Sequence, residues 1–228
     1  MIDFWDSIDA ILIINLPYRQ DRWEHQLARL REIGVADKAV RINAIQGTKI
    51  PGYGSPPWFR KKTSENVSRM KAGAAGCCLS HRKALKFASS KNWNRILLLE
   101  DDARFLDPLT GSIGEELGKS MEEYSPMGML YLGFYRKYCP HVPIAKFSES
   151  SVGPCQLWRI RGPLMFHATV IEKHLFQPLL SGLPTERNIW PWMTYWGSID
   201  SWIQNSFGDK PTVKIYGLRP SLVVQQAN

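Results

Sequence analysis

Through the first 134 residues, short apolar runs alternate with longer stretches whose apolar residues recur every three or four positions. Residues 8–16 (IDAILIINL) form a β-branched run closed by Asn15 and Pro17, which predicts a buried strand. Residues 19–33 follow as a helix, because Trp23, Leu27, Leu30 and Gly34 fall on one face of a 3.6-residue period and Gly34 supplies a stop. A second strand is expected at 39–45. Residues 47–70 carry glycines, prolines and bases without a period, so a long loop is expected there. A helix over 74–90 follows from the stripe Ala74, Cys78, His81, Leu85 and Ala88, and residues 95–99 read as the third strand.

Later elements are predicted as a helix at 108–123, a strand at 129–134, turns and short strands over 135–165, and a helix near 167–180. A helix at 198–207 and a strand at 213–218 complete the reading. Strand and helix in alternation imply an α/β fold, its sheet mixed but mostly parallel and flanked by helices. No linker divides the chain, so one domain over 1–228 is expected.

The third strand ends abnormally. In RILLLEDDARF (95–105), four apolar residues run straight into Glu100, Asp101 and Asp102. Ligands of parallel α/β sheets sit beyond the carboxyl ends of the strands. Side chains alternate along a strand, so Glu100 and Asp102 are expected to point one way and Asp101 the other. Two carboxylates facing one point make a seat for a hard cation, Mg²⁺ or Mn²⁺, which would also relieve their repulsion. The plainer alternative is a solvated strand end, its acids capping the next helix or pairing with Arg104. A haloacid-type phosphatase is disfavoured, because Ala103-Arg104-Phe105 follows where a small hydroxyl residue is wanted.

Composition changes this picture little. Apolar residues make up 44% and charged residues 22%, ordinary for a globular protein with a core. The net charge of +8 comes from dispersed bases, including Arg60, Lys61, Lys62, Arg136 and Lys137, which favours anionic partners such as nucleotide phosphates or an anionic membrane face. No helix-turn-helix or zinc-finger spacing is present, so nucleic acid is not expected as a partner. The opening residues lack a basic n-region and no apolar run spans a bilayer, which points to a soluble, cytoplasmic protein. Four cysteines, two of them adjacent, read as free thiols, although Cys139 and Cys155 could close a hairpin.

Eight stretches in order carry a resemblance: INLPYRQDR (14–22), RINAIQG (41–47), AGCCLSHRKAL (75–85), ILLLEDDARF (96–105), MLYLGF (129–134), GPLMFHATVI (162–171), GSID (197–200) and PSLVVQQ (220–226). The chain resembles glycosyltransferase family 25, which includes lipooligosaccharide and collagen galactosyltransferases. The resemblance implies a GT-A-like fold with a nucleotide-sugar half to about residue 134 and an acceptor half beyond it. It also implies a UDP-sugar donor, a divalent metal (Mn²⁺ or Mg²⁺) and inversion at the sugar carbon. By resemblance Asp102 is the direct metal ligand, with Glu100 or Asp101 assisting through ribose or water. Asn15, Arg19, Asp21 and Arg22 shape the nucleotide site, where Arg19 or Arg22 would meet a phosphate. Ser80 and His81 lie near the donor; without the resemblance His81 reads as a core histidine.

An inverting transfer needs a base for the acceptor hydroxyl. Asp200 matches the acid of the family's GSID stretch, with Asp209 and Glu186 as substitutes. An acid in a helix's first turn is also favoured by the helix dipole alone. Trp190, Trp192, Tyr195 and Trp196 crowd one segment, where they could stack on a sugar, pack in the core or touch a membrane. Trp202 falls with Ile199, Ile203 and Phe207 on one helical face, a core pattern. The resulting expectation is a transferase moving galactose or glucose to a glycan or glycolipid acceptor such as lipooligosaccharide. Its rivals are a silent nucleotide-sugar or glycan-binding protein and a nucleotide-sugar hydrolase.

Overall fold

A computed structural model describes residues 2–59, 64–135, 141–162, 164–208, 210 and 212–226. Arg60, Lys61, Lys62, Arg136, Lys137, Cys139, Pro163 and the substitute base Asp209 lie outside the described residues.

The first strand, β1 (Ala10–Asn15), leads into α1 (Gln20–Ile33), which Gly34 closes in the left-handed conformation at φ 86°. Next come β2 (Ala39–Asn43), α2 (Glu65–Ser90), β3 (Arg95–Glu100), β4 (Ala103–Phe105) and α3 (Gly111–Glu123). They are followed by β5 (Met129–Tyr131), a hairpin of β6 (His141–Ser150) and β7 (Gly153–Ile160), then β8 (Ala168–Glu172) and α4 (Phe176–Gly182). The chain ends through α5 (Ile189–Trp196), α6 (Ile199–Phe207), β9 (Ile215–Arg219) and β10 (Val223–Gln225).

The eight-stranded sheet runs β2-β1-β3-β8-β5-β9-β7-β6, and β4 pairs with β10 beside it. The mixed sheet and flanking helices match the sequence reading. Parallel pairing is confined to β2-β1-β3 and β5-β9; the sheet's other four ladders and the β4–β10 pair are antiparallel, so the sheet is mixed but not mostly parallel as expected. The antiparallel share comes from the second half, where a hairpin and short returns replace helical crossovers.

The apolar run of β3 is continuous because both of its faces are buried. Ile96 and Leu98 pack on the side of α2, with Ala75, Cys78 and Leu85. Leu97 and Leu99 pack on the other side, with Leu30 of α1 and Ile113 and Leu117 of α3. Only where the strand leaves this sandwich does a charged residue become tolerable, and Glu100 stands there.

Three elements differ from expectation. Residues 168–172 are strand and not helix, because Thr169, Val170 and Ile171 are β-branched and pair on both sides, with β3 and β5. The short helix α4 begins only at Phe176. Helix α2 reaches back to Glu65, capped by the Ser64 hydroxyl, which accepts from the Val67 amide at 3.4 Å. This first stretch is largely exposed, so it carries no apolar period to read. Residues 189–196, expected within a loop at 184–197, form α5, in which Trp190 is buried and donates to the Pro51 carbonyl at 2.6 Å, pinning the loop between β2 and α2. No helix among the described residues is long and apolar enough to cross a membrane.

Candidate functional site

The carboxyl ends of β1 and β3 lie side by side, with Ile14 paired to Glu100. Asn15 ends β1 fully buried, and its amide is saturated: it donates to Asp101 at 2.7 Å and to the Arg19 carbonyl at 3.0 Å, and accepts from Arg41 at 2.9 Å. Arg22, one turn into α1, meets the other Asp101 oxygen at 2.7 Å. Gln26, one turn further and buried, donates to the carbonyls of Asp101 and Ala103. Asp101 and its turn are therefore locked to α1.

Glu100 and Asp102 are arranged otherwise. The Gln225 amide, at the end of β10, stands 3.3 Å from Glu100 Oε2 and 3.4 Å and 3.5 Å from the Asp102 oxygens. Glu100 and Asp102 share Gln225, as the alternation read from the sequence expects, while Arg22 meets Asp101 closely and Asp102 at longer range. Burial, and then the charge of Asp102, push the Glu100 carboxyl up to about 7. Burial also raises Asp102, despite Arg22 at 3.7 Å. Two carboxylates whose charge burial disfavours, bridged among the described residues by one amide and met by a single guanidinium at 3.7 Å, are hard oxygen donors short of positive charge. Asp102 and Glu100 thus fit a hard divalent cation.

Behind Glu100 lies the α2 stripe. His81 is fully buried, and its ring lies 5.2 Å from that of Phe166. Its Nδ1 is 2.9 Å from the Cys77 carbonyl and its Nε2 3.3 Å from the Phe166 carbonyl. Burial lowers its tendency to protonate. Cys77 donates from sulfur to Glu100 Oε1 at 3.3 Å, and burial with the Glu100 charge holds it as a thiol. Ser80 spends its hydroxyl on structure: it donates to the Gly76 carbonyl at 2.6 Å and accepts from the Ile45 amide at 2.8 Å. That bond fixes the loop after β2 against α2. Gly47 and Gly76 permit the approach, since a Cβ on either would overlap backbone of the other segment.

Asp200 sits half-buried in the first turn of α6 and accepts from the Phe166 amide at 3.1 Å. Burial raises its pKa, the direction that suits a general base, and His81 and His167 are among the groups that bear on it. Arg19 is instead engaged at the surface with Asp21 at 2.9 Å, which draws the Asp21 carboxyl down to about 2. The dipole cost of a base at this helix start is thus offset within the chain. Cys77, Cys78 and Cys155 are free thiols.

Two clefts flank these acids and share Leu16 and Asp101. One, of about 390 Å³, is floored by Ile14, Gly47, Gly76, Cys77, Ser80 and Glu100. The other, of about 840 Å³, is walled by Arg19, Arg22, His25, Asp101, Asp102 and Gln226. An apolar slot beside a charged trough suits a ligand with a ring at one end and anionic groups at the other. Sequence reasoning brought Asn15, Arg22, Glu100, Asp101 and Asp102 to one place, and set Ser80 and His81 beside it. It gave no role to Gln225, Gln26 or Cys77. For Gln225 the signal existed: SLVVQQ, like LLLEDD, is an apolar run that ends abruptly in consecutive polar residues.

Residues 8–142 match the family described as Glycosyltransferase family 25 (LPS biosynthesis protein). Procollagen galactosyltransferase 1-B of Xenopus laevis is 34% identical over 110 residues, 43% of this chain and 17% of that protein. The inactive glycosyltransferase 25 family member 3 of Homo sapiens is 30% identical over 139 residues, 56% of this chain and 22% of that protein. The chain therefore spans only 17% to 22% of the length of these relatives. Among solved structures, a glycosyltransferase involved in the glycosylation of the major capsid of PBCV-1 aligns over 87% of this chain and 74% of its own, with 10% identity and a TM-score of 0.39. With more than half of its length matched by that one family, this chain belongs to glycosyltransferase family 25.

Proposed function

We propose that this chain is an inverting, metal-dependent hexosyltransferase that moves galactose or glucose from a UDP-sugar to a glycan acceptor such as lipooligosaccharide. The observation that carries this reading is the convergence of Glu100 and Asp102 on one amide, at the carboxyl ends of parallel strands and between the two clefts. Asp102 and Glu100 would hold Mn²⁺ or Mg²⁺, which would neutralise charge on the departing diphosphate. Arg22 and Arg19 line the trough that receives the phosphates, and Asn15 keeps Asp101 and Arg22 in place. Asp200 takes the proton of the acceptor hydroxyl, its carboxylate oriented by the Phe166 amide. Tyr195, the exposed aromatic of α5, offers the acceptor a ring to stack on. The +8 charge suits a cytoplasmic enzyme that works against anionic lipid.

The test is UDP release from a panel of UDP-sugars, with and without Mn²⁺ and acceptor. The reading expects release that needs metal and accelerates with acceptor. Equal release without acceptor would instead identify a nucleotide-sugar hydrolase. No release from any donor would favour a second reading, a silent nucleotide-sugar or glycan-binding protein. The inactive human relative gives that second reading its support.

A further inference from the structure

We propose that Cys77, His81 and Glu100 form a second metal site, one that takes a borderline divalent cation of the zinc class. The spacing of Cys77 and His81, four residues on α2, puts both side chains on one face, with Sγ 3.4 Å from Nδ1. Glu100 Oε1 lies 3.3 Å from that sulfur and 3.8 Å from His81 Nε2. One ligand atom from each residue falls within 4.8 Å of the others. With zinc–sulfur and zinc–nitrogen bonds of about 2.3 Å and about 2.1 Å, neighbouring donors of a tetrahedral site stand about 3.5 Å apart. Two of the donor pairs, Sγ with Oε1 and Oε1 with Nε2, already stand near that spacing.

The imidazole adds an independent sign. Both of its nitrogens face carbonyl oxygens, those of Cys77 and Phe166. A neutral ring has one N–H to give, so one lone pair is left pointing at an acceptor. With the proton on Nδ1, given to the nearer Cys77 carbonyl, Nε2 is left facing the Phe166 carbonyl and Glu100 Oε1, and a cation on Nε2 removes the conflict. A backbone carbonyl on the far nitrogen is also the usual partner of a metal-bound histidine.

The chemistry separates this site from the one at Asp102. Sulfur and imidazole prefer zinc-like ions to magnesium or manganese. The two oxygens of Glu100 face different ways, Oε1 toward Cys77 and Oε2 toward Gln225. Cys77 and Glu100 line the smaller cleft, so three protein ligands leave the fourth position open to it. On loading, the Cys77 thiol gives its proton to solvent and the thiolate binds the ion.

This inference does not depend on the transferase reading. Titration of the metal-free chain with Co²⁺ tests it. The expected result is a near-ultraviolet thiolate-to-cobalt band that saturates at one ion per chain and is bleached by Zn²⁺. The band should vanish in Cys77→Ser and persist in Asp102→Asn, whereas loss of the transferase reading would touch only the latter residue's role. Glu100→Gln, which leaves both α2 ligands in place, should weaken cobalt binding by about tenfold or more. Absence of the band in the natural chain, an undiminished band in Cys77→Ser, or unchanged affinity in Glu100→Gln would each overturn the proposal.

Discussion

Asp101 and its two neighbours are consecutive in sequence yet occupy opposite physical situations. Asp101 receives a buried amide and a guanidinium at 2.7 Å each, from β1 and α1 near the start of the chain. Glu100 and Asp102 share one amide, from the last strand, at 3.3 Å or more, and their separate contacts are no shorter, the Cys77 thiol at 3.3 Å from Glu100 and Arg22 at 3.7 Å from Asp102. The first arrangement is complete as it stands and holds a turn. The second leaves two carboxylates whose ionised forms the fold disfavours, which is the condition of a site that awaits positive charge.

This contrast is breakable from both sides. The largest effect is expected from Asp101→Ala, which removes the mostly buried carboxylate that Asn15 and Arg22 each meet at 2.7 Å. It should cost about 4 kcal/mol of stability, read by chemical denaturation, because a buried amide and a buried guanidinium lose their shortest acceptor together. A cost near zero would mean that Asp101 locks nothing.

Glu100 should behave in the opposite sense. Its folded pKa of about 7 lies above the reference value of 4.5, so the protonated form is favoured by folding. Its stabilising contribution is complete below pH 4.5 and is lost as pH rises to about 7. In metal-free protein, Glu100→Gln should match the natural chain at pH 4 and exceed it at pH 8 by on the order of 3 kcal/mol. Parallel pH profiles of melting temperature for the two proteins would contradict the assignment. The smallest effect belongs to Gln225→Ala. Losing that amide should raise the Asp102 pKa further, since the hydrogen bond favours its ionised form, while stability changes by about 1 kcal/mol or less. Carboxyl NMR titration reads the shift, and an unmoved Asp102 would show that the bridge is idle.

The same contrast explains what could be read in the sequence. The strands β1 and β3 were legible because burial on both faces leaves an uninterrupted apolar run. The core of α6 was legible because Ile199, Trp202, Ile203 and Phe207 keep a helical period. The start of α2 was not, since an exposed helix has no stripe, and β8 was misread because ATVIE lies between apolar residues that also suit a helix. At the site, alternation along β3 separated Asp101 from Glu100 and Asp102. It gave no hint of Gln225, which arrives from 125 positions away through the β10–β4 pairing. Nor did Ser80 betray that its hydroxyl fastens a loop. Spacing within one element is visible in a sequence, whereas the partner that a distant strand delivers is a product of the fold.

The proposed role of Asp102 and Glu100 is to hold between them a cation that receives a nucleotide diphosphate. Calorimetric titration of UDP into the natural chain and into Asp102→Asn, with Mn²⁺ and with chelator, tests it most directly. The account predicts binding that requires Mn²⁺ in the natural chain and is lost in the variant while the fold stays intact. Equal UDP affinity in chelator, or undiminished Mn²⁺-dependent affinity in Asp102→Asn, would contradict it.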